Sequence, residues 1–329
     1  MMITIRDVAE YAKVSVATVS RVLNNKGQVS EETKRKVRDA IEHLNYRPNL
    51  VARTLYKKTS SMIGLILPDI TNPFFPALAR TVEDQARSYG YTVILCNSDG
   101  SPAKEADYIG SLEQKGIDGI IISTTQANAD HFKDVHIPIV ALDRGLSNEI
   151  PTVTSENKNG AREATELLIK SGCQSVVHLQ GPRELVTTND RKKGFLEVVQ
   201  KVNVEHSVIE TEFDIKAAEE TAYQILKQQP QIDGIFAGSD SIAIGIIRAA
   251  HRLGRRIPED LQIVGFDGIE LGKLFIPSLT TIEQPIFEMG ALAVDLLSKQ
   301  INKQQLDKYL YEFPTKLIIG NTTKKVEEE

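Results

Sequence analysis

Cysteine is almost absent from this chain of 329 residues; only Cys96 and Cys173 occur. Two thiols cannot build a disulfide scaffold or a four-thiolate zinc site. Long apolar runs are missing as well. The longest, such as residues 62–67 and 119–122, have the length of strands, whereas a bilayer span needs about 18 or more apolar residues. The opening stretch MMITIRDVAEYA places acids early and has no apolar core. No secretion signal is therefore expected, and the cytoplasm is the expected compartment. None of the six histidines (His43, His131, His136, His178, His206, His251) falls in an HxxxH or HExxH spacing. There is also no GxSxG elbow, no GxxxxGK[ST] loop and no GxGxxG after a strand. These absences argue against an enzyme on an α/β scaffold, so no catalytic residue, metal or cofactor is expected, and each histidine is assigned a structural or solvated role. No short-period repeat or low-complexity tract is present either.

What the chain does have is an uneven distribution of charge. The formal net charge is −5, yet residues 1–60 carry twelve Lys and Arg against six Asp and Glu. A small basic module precedes a larger acidic body, and phosphate neutralisation needs local positive charge rather than a high overall pI. The length suits about two domains with sizeable cores.

Residues 3–47 predict three short helices. Thr4 with Asp7 three residues on forms a capping-box pattern, and Ile5, Val8, Ala9 and Ala12 share the following helical face. The pattern breaks at Lys13 and Val14, and Ser15 can cap a second helix over 16–23. A third begins after Ser30 with Glu31 and Glu32 in its first turn, where the helix dipole favours acids, and Val37, Ile41 and Leu44 as its buried stripe. Two helices joined by so tight a turn form a helix-turn-helix pattern. At about 100° per residue, Val19, Val22 and Leu23 cluster on one face of the second helix and Ala17 and Arg21 on the other. Arg can pair with guanine O6 and N7, and Ala can touch a thymine methyl. Pro48 suits the first turn of a short fourth helix over 48–57, which is too short to be stable alone.

From Met62 strand-like runs alternate with helical ones: MIGLILPD, then 74–90; YTVILCNS, then 102–115; GIIIS; IVALD; VVHLQG, then 189–203; GIFAGS, then 240–253; LQIVGFD. This alternation predicts parallel sheets with helices on both faces. The units are too many for one sheet, so two similar lobes are expected, meeting around 155–162 and again near Gln284 and Pro285. Ligands of open α/β sheets sit beyond the strand C-termini. There DITNPFF (69–75) offers the Asn72 amide and the Phe74 and Phe75 rings, which can pack on a sugar's C–H face. Asp143 and Arg144 end another strand and can hold hydroxyls by charge-assisted hydrogen bonds.

The run TIRDVAEYAKVSVATVSRVLN (4–24) closely resembles the lactose-repressor family of bacterial transcription regulators, and LNYRPNLVARTLYKK (44–58) resembles that family's hinge helix. The likeness continues through the whole chain, and the NPFF, DR and FD motifs resemble the family's ribose-responsive members. The resemblance implies that Val16, Ala17 and Arg21 read major-groove bases, and that Thr4, Ser15, Thr18, Ser20 and Asn24 contact phosphates. It also implies that Asn49, Ala52 and Arg53 of the hinge face DNA and that Leu55 is a minor-groove wedge, a side chain that kinks the duplex by unstacking a base step. In the body it adds Arg191, Phe213, Asp267 and Gln284 as sugar contacts. At Ser239 those relatives usually carry Asn, so one donor arm is shorter here.

The expected architecture is thus a small all-α helix-turn-helix headpiece (1–47), a hinge helix and linker (48–61), and a two-lobed α/β body like periplasmic sugar-binding proteins (62–329). One lobe takes about 62–157 and 287–312, the other about 158–284 and 313–329. The expected function is a homodimeric repressor of a double-stranded, palindromic operator, controlled by ribose or a similar sugar, with no membrane partner. No leucine-heptad segment follows Ile319, so a dimer is expected rather than a coiled-coil tetramer. The alternatives are a regulator of the same kind that answers to another sugar or to a phosphorylated carrier protein, and a pure solute-binding protein, against which the helix-turn-helix speaks.

Overall fold

The computed structural model describes residues 3–23, 28–46, 59–124, 132, 134–146 and 149–326. The expected fourth helix over 48–57 lies outside these residues. The chain divides into two compact units, 1–60 and 61–329.

The first unit contains α1 (Ile5–Tyr11), α2 (Val16–Leu23) and α3 (Glu31–His43). Thr4 caps α1 in a capping box with Asp7, and the chain turns between α1 and α2 through Lys13 at φ 55°. Val8, Val19, Val37 and Ala40 are fully buried at the centre of this small core. Ile41 and Leu44 are only half-buried beside them, because the third helix spends its best inward position on Ala40.

The second unit has two six-stranded sheets. The first sheet contains β1 (Met62–Leu67), β2 (Thr92–Asn97), β3 (Gly119–Ile122), β4 (Ile139–Leu142), β5 (Thr152–Ser155) and β11 (Leu310–Phe313) in the order β11-β5-β4-β3-β1-β2. The second contains β6 (Ser175–Gln180), β7 (Glu205–Glu210), β8 (Gly234–Ala237), β9 (Gln262–Asp267), β10 (Thr280–Glu283) and β12 (Lys316–Ile318) in the order β12-β10-β9-β8-β6-β7. Every pairing is parallel except the last edge, where β12 runs antiparallel to β10. All six residues of β6 and of β9 are buried, as expected of strands covered by helices on both faces.

The covering helices are α4 (Phe74–Ser88), α5 (Pro102–Gln114), α6 (Asn157–Lys170), α7 (Val186–Val199), α8 (Ile215–Gln228), α9 (Asp240–Arg252), α10 (Glu270–Leu274) and α11 (Ile286–Ile301). Helix α7 starts three residues before the expected 189 and ends at Val199 rather than 203. Its first turn carries Thr187 and Thr188, polar and β-branched yet buried, so propensity conceals it. The chain passes from the first sheet to the second after β5, returns with α11 after β10, and crosses again between β11 and β12. Helix α9 is apolar nearly all round because it has two cores to serve. Ile242, Ala243 and Ile246 pack with the second lobe, while Ile244 joins the first lobe's cluster with Phe74, Phe75 and Leu78.

Helices α6 and α7 meet at Gly194, where an added Cβ would lie 2.2 Å from the Lys158 carbonyl oxygen and 2.9 Å from the Ala161 Cβ. Gly194→Ala gains about 1 kcal/mol of helix propensity, but the clash is with backbone and cannot be relieved by a rotamer change. Overpacking costs ~1–3 kcal/mol or more, so the variant should be less stable than wild type in urea unfolding. An unchanged or raised midpoint would show that the two helices can part at no cost.

Candidate functional site

The headpiece presents one face of α2 to solvent. Val16, Ala17 and Arg21 are exposed on it, while Val19 is buried beneath. Ser15 caps this helix. Its Oγ accepts from the Thr18 amide at 3.1 Å and lies 2.9 Å from the Thr18 hydroxyl. Thr4 is likewise a cap, with its hydroxyl donating to Asp7 Oδ2 at 2.8 Å. The Thr4 amide, donating to the same oxygen at 2.6 Å, and then this hydroxyl hold the Asp7 carboxyl below its ordinary range. Ser20 is half-buried. A helix N-terminus with free amides and cap hydroxyls at the surface suits an anionic group, and the exposed Arg21 one turn on suits a base edge. The expected contacts Asn24, Asn49, Ala52, Arg53 and Leu55 lie outside the described residues.

In the body, the two lobes enclose a narrow cavity lined by Asn72, Phe74, Phe75, Asp143, Arg144, Arg191, Phe213, Ser239, Asp267 and Gln284, with Thr187 in addition. The structure therefore brings all ten expected cavity residues together. Each comes from a strand end or from the loop or helix nearby. Asn72 accepts from the Phe74 amide at 3.2 Å and so starts the turn that aims both rings inward. The rings meet edge to face, 5.2 Å apart. Asp143 and Asp267 end β4 and β9 with φ of 69° and 118°. Such backbone is strained for residues with a side chain, at a cost of about 1–3 kcal/mol each, and is held where function demands it.

The charges form two pairs. Arg144 Nε lies 3.4 Å from Asp143 Oδ2, near enough for an ion pair but not aligned as a hydrogen bond. Arg191 Nη1 lies 3.6 Å from Asp267 Oδ1. The two pairs differ in how fully they are satisfied. Arg191 donates from Nε to Asn157 Oδ1 at 2.8 Å and from Nη1 to the Gly238 carbonyl at 2.6 Å, and its guanidinium lies 3.7 Å from the Phe266 ring centre. Gln284 donates to Asp267 at 2.8 Å and accepts from Ser155 at 2.6 Å. By contrast Asp143 Oδ1, Arg144 Nε and Arg144 Nη1 are buried with no hydrogen-bond partner. Burial pushes the Asp143 carboxyl up despite Arg144 beside it, and pushes Asp267 up to about 7 against the pull of Arg191.

Ser239 is present in the cavity wall, but its hydroxyl is spent as the cap of α9, accepting from the Ile242 amide at 3.2 Å. The supporting residues Asn157, Ser155 and Thr187 carry no motif. Only the crossing of the chain between lobes, which places 155–157 under the cavity, could have marked two of them. Of the described histidines, His178 is fully buried between rings, stacked on Phe236 at 4.5 Å. Burial pushes it down to about 4, so it sits neutral in the core.

A carboxyl that holds its proton more tightly when folded than when unfolded stabilises the fold below its ordinary range, and this contribution is lost as pH rises through the folded value. For Asp267 that window ends at about 7. Without sugar, the melting temperature of the wild type should therefore fall relative to that of Asp267→Asn between about pH 5 and about pH 8. A difference that stays flat across this range would mean that Asp267 is not desolvated.

Comparison with known proteins places both units. Residues 4–49 match the family described as bacterial regulatory proteins, lacI family. Residues 60–319 match that of periplasmic binding proteins and sugar binding domain of LacI family. The ribose operon repressor of Halalkalibacterium halodurans is 54% identical, over 98% of each chain. The crystal structure of the lac repressor dimer bound to operator and the anti-inducer ONPF superposes with a TM-score of 0.89 at 27% identity, covering 98% of this chain and 99% of that one. A periplasmic binding protein/LacI transcriptional regulator of Alkaliphilus metalliredigens, complexed with D-xylulofuranose, covers 80% of this chain and all of its own, with a TM-score of 0.75 and 35% identity. Matched in headpiece and body alike, this chain belongs to the LacI family of bacterial regulatory proteins.

Proposed function

We propose that the protein is a transcriptional repressor without enzymatic activity, that ribose in its free, unphosphorylated form is its effector, and that the ten cavity residues bind it. The observation that carries this reading is that Asp143 Oδ1, Arg144 Nε and Arg144 Nη1 are buried without a hydrogen-bond partner among the described residues. A buried carboxylate oxygen needs a donor and a buried guanidinium needs acceptors, and leaving them unmade costs more than an average hydrogen bond gains. A hydroxyl is both donor and acceptor, so neighbouring sugar hydroxyls satisfy all three. A phosphate supplies acceptors only. It would also meet Asp69, Asp99, Glu212 and Asp214 around the adjoining cleft mouth. The lining agrees: the rings of Phe74, Phe75 and Phe213 offer apolar faces to the C–H face of a monosaccharide. The 54% identical relative is named a ribose operon repressor.

On the DNA side, Val16, Ala17 and Arg21 read the major groove, with Thr4, Ser15, Thr18, Ser20 and Asn24 on the phosphates. Asn49, Ala52, Arg53 and Leu55 then act in the hinge of a homodimer. Exposed apolar side chains favour a second copy: Leu271 and Phe287 line one groove of the body, and Leu274 and Ile276 nearby in sequence are 78% and 97% exposed. Sugar and operator prefer different arrangements of the lobes, which is the whole of the coupling required. A phosphorylated carrier protein as co-repressor stays the alternative, and a pull-down in which such a carrier raises operator affinity without sugar would favour it.

Calorimetric titration with pentoses, hexoses and their phosphates should show ribose bound and ribose phosphates not. Arg144→Ala removes donors to the sugar and leaves Asp143 uncompensated. It should weaken ribose binding on the order of 100-fold while operator binding without sugar stays as in wild type. Tighter binding of a phosphate ester would refute the free-sugar reading. Arg21→Ala should lose about 1–3 kcal/mol of operator affinity and relax base choice at one position per half-site. Equal losses on operator and random DNA would make Arg21 a phosphate contact instead.

A further inference from the structure

Asp240 does not line the cavity and is wholly buried. It opens α9 directly behind the Ser239 cap. Its Oδ1 lies 2.6 Å from the Thr281 hydroxyl on β10, and its Oδ2 accepts from the Ile269 amide at 2.8 Å. The Gly268 backbone also bonds to it. The strand beside it leaves room for this approach, since a Cβ on Gly265 would lie 2.2 Å from Oδ1. One carboxyl thus ties α9 to the end of β9 and to β10.

The turn that Asp240 grips has two ends with different duties. Asp267 faces the cavity. Ile269, two residues on and 4% exposed, is packed into the core of the other lobe with Phe74, Phe75 and Leu78. Between them Gly268 sits at φ 76°, where a Cβ would lie 2.6 Å from the Glu283 backbone, so the turn cannot easily take another path. The charged groups that face Asp240 are Asp267 from β9 and Arg191 from α7. Burial and the Asp267 carboxylate push the Asp240 carboxyl well above its ordinary range. Both oxygens accept, Oδ1 from the Thr281 hydroxyl and Oδ2 from the Ile269 amide; a hydroxyl can also turn to accept.

We propose that Asp240 is a positioning residue of the effector site, holding the turn so that the carboxylate in the cavity and the isoleucine plugged into the opposite lobe move as one piece. The proposal rests on the effector reading of the cavity. In this role an amide replaces the carboxyl well: Asn can donate to Thr281 and accept from Ile269. Full-length wild type, Asp240→Asn, Asp240→Ala and Thr281→Val are titrated with ribose by calorimetry, and their operator affinity is measured without sugar. Asp240→Asn should keep ribose affinity within about threefold, and Asp240→Ala should lose about tenfold or more, with operator binding unchanged in both. Thr281→Val, which keeps side-chain volume and does not line the cavity, should lose affinity in the same direction, and it decides the matter if the alanine variant does not fold. Ribose affinity unchanged in Asp240→Ala or Thr281→Val overturns the proposal alone, as does an equal loss in Asp240→Asn and Asp240→Ala. A wild type that takes up no ribose overturns the effector reading first and the proposal with it.

Discussion

Where the lobes meet, two arginine–carboxylate pairs are held out of water, Asp143 with Arg144 from one sheet and Arg191 with Asp267 from the other. Each charge placed there forfeits several kcal/mol of hydration, and pairing alone does not always repay it. The second lobe meets the cost with a full set of partners: Asn157, the Gly238 carbonyl, Gln284 and the face of Phe266. The pair of the first lobe is not met in this way: Asp143 Oδ1, Arg144 Nε and Arg144 Nη1 have no hydrogen-bond partner among the described residues. The rest of the body can be understood from this asymmetry. Strained backbone at the strand ends aims the carboxyls, and aromatic side chains wall the space between the sheets.

Much of this was legible in the sequence, because apolar strands ending in polar residues announce both a parallel sheet and its ligand edge. IVALD and LQIVGFD carry the strand and a cavity residue in one run. What escaped was polar structure hidden in the core. Strands β5 (TVTS) and β10 (TTIE) look like loop, yet Thr152, Ser155, Thr280 and Thr281 are buried. Their hydroxyls are matched in pairs that no local pattern reveals: Thr281 with Asp240, Thr280 with Thr323, Ser155 with Gln284. The same holds for Asn157, a cavity support that looks like any surface asparagine until the chain is seen to cross beneath Arg191.

In the headpiece the local rules were sufficient for the three described helices. Thr4, Ser15 and Ser30 were readable as caps, and the structure uses each of them so. With Val8, Val19, Val37 and Ala40 as its fully buried centre, this unit has little core to stabilise it, and small domains bury proportionally less surface. Its helix ends therefore matter more than those of the body. The residues whose hydroxyls close the helices are also exposed at the surface.

The threefold passage of the chain between the sheets has a consequence for synthesis. The lobe that begins first is completed only after most of the second has been made. Helix α11, which covers β3, β4 and β5, and the edge strand β11 arrive only after nearly all of the second lobe has been made. Until residues 286–313 leave the ribosome, the first sheet lacks one of its covering helices, and β5 lacks its outer neighbour. Domains made from one continuous stretch can fold in the order in which they emerge. This body cannot: most of the second lobe is made while the first still waits for its last helix and edge strand, and a chain cut short by its last fifty residues would lose α11 and β11 from the first lobe together with β10 and β12 from the second, so that damage at one end of the sequence reaches both lobes.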